Sequence, residues 1–194
     1  MSRSRATPWR PTREQIAAAA GATVPDVMAP DLRVLFVGIN PGLYSGAVRH
    51  HFARPGNRFW KALALSGFTH RVLSPFEERD LLERGIGITN LVERATASAA
   101  ELEPHELRTG AGRLERKVRR QKPLVVAFLG LSAYRIALER SRAVPGRLPE
   151  LFGGTPAWLL PNPSGLNAHH QLDDLGREFR RLREAVLSSG PSRA

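Results

Sequence analysis

Three short runs, VLFV at 34–37, LVVAFL at 124–129 and AWLL at 157–160, contain no polar residue and no apolar/polar alternation. A strand with one wet face alternates; an unbroken apolar run needs cover on both faces, the condition of a parallel strand in an α/β protein. The stretches between them carry helical patterns. Together they predict strands over 32–37, 86–91, 124–129 and 157–160, and helices over 57–66, 75–84, 105–121, 132–139 and 173–187. The implied fold class is α/β, a three-layer α/β/α sandwich around a short, mainly parallel central sheet. Local signals agree with the helix assignments. Asn57 can cap NRFWKALALSG, which Gly67 closes, and Ser74, Pro75 and two glutamates open the segment that follows.

At 194 residues the chain can bury one self-sufficient core. A single domain over 25–188 is expected. It is preceded by a basic, flexible extension over 1–24, which carries Pro8, Pro11 and a short helix REQIAAAAG, and followed by a disordered tail over 189–194. With no cysteine, the chain has no disulfide framework, no Cys-ligated zinc and no thiol nucleophile. No stretch approaches the roughly 20 apolar residues that span a bilayer, and the start MSRSRATPWRPTREQ lacks the apolar centre of a secretory signal. A soluble, cytoplasmic monomer is expected.

The formal charge of +11, from 29 basic against 18 acidic residues, points to a polyanionic partner such as nucleic acid. The charge concentrates in the N-terminal arm, in RLERKVRRQK at 113–122, and in the last helix with Arg177, Arg180, Arg181 and Arg183. Only three of the 29 are lysine, so part of this arginine simply solvates the surface.

In an open parallel sheet, ligands bind outside the carboxyl ends of the strands. The loops expected there are GINPGLYSG, TNLVERAT, GLSAY and PNPSGLN. Two of them pair asparagine with proline and place a glycine within two residues. Taken singly, Asn40 and Asn162 read as Asx turns before a rigid proline. Two such loops at one end of one sheet read as a site.

GINPGLYSG, HHFARPGNRFW, GITNLVER and LPNPSGLN, in that order, resemble the mismatch-specific uracil-DNA glycosylases and the thymine-DNA glycosylases. The resemblance runs from about residue 29 to the last helix. It implies the uracil-glycosylase sandwich, with double-stranded DNA carrying a G·U or related mismatch as partner and no cofactor. It also implies hydrolysis of the N-glycosidic bond of uracil, and by extension of ethenocytosine or thymine, as the first step of base excision repair.

Such an enzyme extrudes the nucleotide, holds the base and places a water behind the sugar as positive charge develops. The family match gives the water to Asn40, whose amide oxygen can hold it but cannot act as a base. Glu93 is the alternative: a general base or stabiliser of the sugar cation, or else half of a surface ion pair with Arg94 as its neighbour. The resemblance puts Phe52 on the flipped base and backbone groups of Ile39 and Phe52 along the base edge, with Tyr44 and Ser45 where a thymine methyl would have to fit. It makes Leu166 the wedge that fills the gap in the duplex. Gly165 lets the backbone approach the unpaired guanine, while Asn162, Ser164 and Asn167 lie beside the target phosphate and sugar.

The resemblance breaks after NPSGL, where the family commonly continues with serine and a nearby arginine. Here Asn167, Ala168, His169 and His170 follow. Paired histidines at 50–51 and 169–170 lack cysteine or carboxylate at ligand spacing, so no metal is expected. A different class of function also fits a wedge and a basic face: a module that grips mismatches without catalysis. A nucleotide phosphate cradle at GINPG fits poorly, since the loop has neither the Walker lysine nor G-x-G-x-x-G.

Overall fold

The computed structural model describes residues 9–164 and 171–188. In chain order the elements are α1 (Arg13–Ala17), β1 (Val34–Gly38), α2 (Leu43–Val48), α3 (Phe59–Leu65), a 3₁₀ segment (Pro75–Arg84) and β2 (Ile86–Asn90). These are followed by a short 3₁₀ turn (Ala99–Glu101), α4 (Pro104–Gln121), β3 (Val125–Leu129), α5 (Leu131–Ala137), β4 (Gly146–Phe152), β5 (Thr155–Leu160) and α6 (Leu172–Ser188). The sheet order is β2-β1-β3-β5-β4. Four strands run parallel, with Phe36 opposite Ile88 on one side and Ala127 on the other, and Ala127 opposite Trp158. Only β4, at the edge, is antiparallel.

Every residue of β1, β2 and β3 is buried, as continuous apolar runs require. Side chains alternate between two separate cores. Phe36 packs on one face with Phe59, Trp60 and Leu63 of α3 and Phe179 and Leu182 of α6; Leu35, Val37, Val126 and Phe128 pack on the other with Leu114 and Val118 of α4 and Tyr134 of α5. Phe36 stacks on Phe179 at 5.5 Å and meets Phe59 edge-on at 5.4 Å. Such contacts add about 0.5–1.5 kcal/mol per pair beyond area burial. The result is the expected three-layer α/β/α sandwich.

Three segments differ from the sequence reading. Residues 75–84 wind as 3₁₀, not α. Their capping box is intact, with Ser74 N–H donating to Glu77 Oε2 (2.8 Å), but their buried residues Glu78 and Leu81 are three apart, the 3₁₀ period. The helix α2 was not expected within the loop after β1. It starts at Gly42 without a side-chain cap and contains Ser45 and Gly46, so it gives no start signal. The edge strand β4 was also missed. Within it only Leu148 and Phe152 are buried and it carries Pro149, tolerated at an edge because no neighbour needs its N–H. It turns into β5 through Gly153 and Gly154, both at positive φ, as a two-residue hairpin demands.

Candidate active site

The four parallel strands end together, and a cleft of about 480 Å³ opens there. Gly38 to Gly42 form its floor after β1. Asn90 and Thr96 to Ala99 bound it after β2, Leu129 to Ala133 after β3, and Pro161, Asn162 and Ser164 after β5. Phe52, Arg54 and Asn57 close it from the segment before α3.

Asn40 is held by one end of its amide. Its Nδ2 donates to Thr96 Oγ1 (2.7 Å), to Arg94 O (3.0 Å) and to Pro41 O (3.2 Å). Two of these atoms are carbonyls. The third is a hydroxyl whose own proton goes to Ser98 O (2.8 Å), so it too accepts from Asn40. Three acceptors around one end fix the nitrogen there and the oxygen away from them. Asn40 lines the cleft, and its Oδ1 has no hydrogen-bond partner among the described residues. The Asx turn that the sequence allowed is not what this side chain forms.

The segment supplying those acceptors is itself braced. Arg94 donates through Nε to Glu106 Oε1 (2.6 Å) and through Nη2 to Glu106 Oε2 (2.8 Å) and Glu101 O (3.1 Å). The guanidinium holds the Glu106 carboxyl down at about 2. Glu93 points the other way. It is half exposed, pairs with Lys117 Nζ at 3.2 Å, and is not among the residues that line the cleft. Lys117 is shared with Asp26 (2.7 Å), which also accepts from Thr89 Oγ1. The expected pair therefore exists, but with Lys117, while its neighbour Arg94 is committed to Glu106.

Phe52 lines the cleft with its ring stacked on Phe59 (4.1 Å, 28°), so one face is spent on the core and the ring is half-buried. Its φ of +51° is unusual for a bulky residue. Its backbone makes no hydrogen bond within the described residues. Ile39 lines the cleft too, with its carbonyl accepting from Val92 N (2.9 Å). Ser45 is buried at the cleft wall, and its Oγ accepts from Ala53 N (3.0 Å). Tyr44, half-buried on α2, is not brought to the wall: successive helix residues point about 100° apart, and Ser45 is the inward one.

Asn162 closes an Asx turn, its Oδ1 accepting from Ser164 N (2.9 Å), and both residues line the cleft. Gly165, Leu166 and Asn167 lie outside the described residues, as do His169 and His170.

Sequence reasoning missed Asn90, although it stands in the quoted GITN. Buried at the end of β2, it lines the cleft, and its Nδ2 is 3.4 Å from His51 Nδ1. His51 Nε2 faces Pro25 O at 3.0 Å; a carbonyl only accepts, so Nε2 carries the proton and Nδ1 accepts from Asn90. Burial lowers the His51 pKa, Glu78, the Pro25 carbonyl and Asp26 opposing it, which favours the neutral ring that the two contacts imply. A carboxylate does reach the histidine pair from far along the chain: Glu78 accepts from His51 N–H (2.8 Å) and pairs with His50 Nδ1 (2.8 Å). Gly38 completes this wall. A Cβ there would stand 2.4 Å from Asn90 Oδ1 and 3.2 Å from Phe52 Cζ.

The sheet order and a polar crevice at the carboxyl ends of the parallel strands define an α/β/α protein of the kind that takes its ligand at those ends. Over residues 25–186 the chain matches the uracil DNA glycosylase superfamily, and it belongs to that family of hydrolases acting on N-glycosyl bonds in DNA. A solved structure of the same fold is the solution NMR structure of a candidate uracil DNA glycosylase from Methanosarcina acetivorans. The two are 18% identical with a TM-score of 0.56, and the match covers 84% of this chain and 98% of that one.

Proposed function

We propose that the protein is a monofunctional, mismatch-directed DNA glycosylase that excises uracil opposite guanine. The observation that carries this reading is the Asn40 amide, turned by three acceptors so that its oxygen is left for the cleft. In the proposed reaction the nucleotide leaves the stack and its base lies on the open side of Phe52, where stacking is worth roughly 1–3 kcal/mol. The Asn90 amide, its direction set by neutral His51, gives the base a polar edge to meet. Asn40 Oδ1 accepts a hydrogen bond from a water held behind C1′.

An amide takes up no proton at neutral pH, so the C1′–N1 bond breaks ahead of attack. Its electron pair leaves with the uracil anion, positive charge builds on the sugar, and the water oxygen then bonds C1′ and releases its proton to solvent. Glu93, engaged with Lys117 outside the cleft, has no part in this scheme. The basic surface, with Arg54 at the cleft mouth, suits a DNA partner.

The test is single-turnover excision on a labelled duplex carrying one G·U pair, beside A·U, G·T and single-stranded uracil, with alkali to reveal abasic sites. Cleavage strongest at G·U is the expected result. Equal cleavage of all uracil substrates would remove the mismatch preference. Tight binding without abasic sites would make the protein a lesion-binding module instead.

A further inference from the structure

The described start of the loop after β5, residues 161–164, has few backbone donors. Pro161 and Pro163 lack an N–H, and the amide of Ser164 is spent on Asn162 Oδ1. Two of its carbonyls, those of Pro163 and Ser164, are held from outside. Arg58, which the sequence reading passed over, does this with three donors. Its backbone N–H donates to Pro163 O (3.0 Å), its Nε to the same oxygen (3.4 Å) and its Nη2 to Ser164 O (2.6 Å). A rigid guanidinium fork meets two successive carbonyls in a way that a lysine ammonium, a single point, cannot. Arg58 also follows a residue of the opposite wall: Asn57 lines the cleft and accepts from Phe59 N–H (2.9 Å), and the buried Phe59 ring lies under Phe52, which lines the cleft too.

We infer that Arg58 is a positioning residue, fixing the course of the β5 loop at Pro163 and Ser164 against the start of α3 so that the two walls meet damaged DNA as one unit. The inference rests on the cleft being the site for an extruded nucleotide. Arg58 touches none of the reacting atoms; it acts through the two carbonyls.

The test uses full-length Arg58→Ala and Arg58→Lys with two duplexes of one sequence at one salt concentration, one undamaged and one carrying a tetrahydrofuran abasic analogue opposite guanine. Arg58→Ala is expected to bind the abasic duplex about tenfold more weakly, the scale of losing a charge-assisted contact. Its affinity for the undamaged duplex should stay within about twofold, and Arg58→Lys should recover part of the loss. Single-turnover excision of G·U should fall in the same order. Should Arg58→Ala melt more than about 5 °C below the parent, Arg58→Gln takes its place, keeping the stem and one donor.

Parent-like affinity for the abasic duplex would overturn the assignment. So would an equal loss on both duplexes, the mark of a plain phosphate contact, or a loss in every variant that merely follows its melting temperature. If the parent itself excises nothing, the glycosylase reading falls alone, and the abasic duplex still decides the role of Arg58.

Discussion

Asn40 and Asn162 each stand two residues beyond the end of a parallel strand and directly before a proline, yet Asn40 donates through its nitrogen to the surroundings while Asn162 accepts through its oxygen from its own loop. Around Asn40 the neighbours are all acceptors, so the nitrogen is tied down and the oxygen is presented. Asn162 spends its oxygen on the Ser164 amide and shapes its own loop. The same dipeptide thus leaves an amide oxygen facing the cleft in one place and closes a turn in the other. What differs is the surroundings: Thr96 and the Arg94 carbonyl come from the chain after β2, whereas Asn162 Oδ1 accepts from Ser164, two residues away.

If that contrast is right, the two asparagines should not respond alike to truncation. Asn40→Ala should lower single-turnover excision by about 10²-fold or more, the scale of losing one preorganised polar group. Asn162→Ala should cost less, about 1 kcal/mol of loop stability and up to about tenfold in rate, because the Arg58 contacts to Pro163 and Ser164 persist. Equal losses measured side by side would erase the distinction.

A third measurement probes the base wall through pH. Burial lowers the His51 pKa below its ordinary 6.5, so the unfolded chain takes up that proton first. This contribution to stability is present above about pH 6.5 and is lost as pH falls below it. Urea unfolding at a series of pH values should show the decline, and His51→Gln should flatten it; a decline unchanged in that variant would assign it to other groups. The smallest effect is expected at Glu93. Glu93→Gln should leave excision within about twofold and cost under about 1 kcal/mol, as exposed ion pairs do. A large loss of rate there, with Asn40→Ala active, would move water activation to Glu93.

Much of the architecture was legible because burial on both faces writes itself into the sequence. VLFV and LVVAFL could hardly be anything but covered strands, and the crevice follows from where parallel strands end. What stayed hidden depends on partners far along the chain or on elements with little burial. β4 turns charged and prolyl residues outward, so its seven residues read as loop. Glu93 reads as a base or as half of an ion pair because its loop borders the cleft, and nothing local reveals that its ion-pair partner is Lys117, well along α4. The histidines at 50 and 51 were weighed for metal, while their partners Glu78, Pro25 and Asn90 are 25 or more residues distant. Asn40, by contrast, lines the cleft with its amide nitrogen donating elsewhere, as its motif implied, though its acceptors Thr96 and the Arg94 carbonyl were not legible.

Gly38 carries a consequence for how such a pocket can change over evolutionary time. Its missing methyl group is what lets Asn90 Oδ1 and the Phe52 ring crowd the same point. Any substitution there disturbs the Asn90 amide and the Phe52 ring in a single step. Neither can be enlarged into the space of residue 38 while the other stays put. A lineage seeking a bulkier base in this cleft would have to alter both walls together or look for room elsewhere, for example at the buried Ser45. One hydrogen atom at the end of a strand thereby narrows the routes by which this cleft could be reshaped.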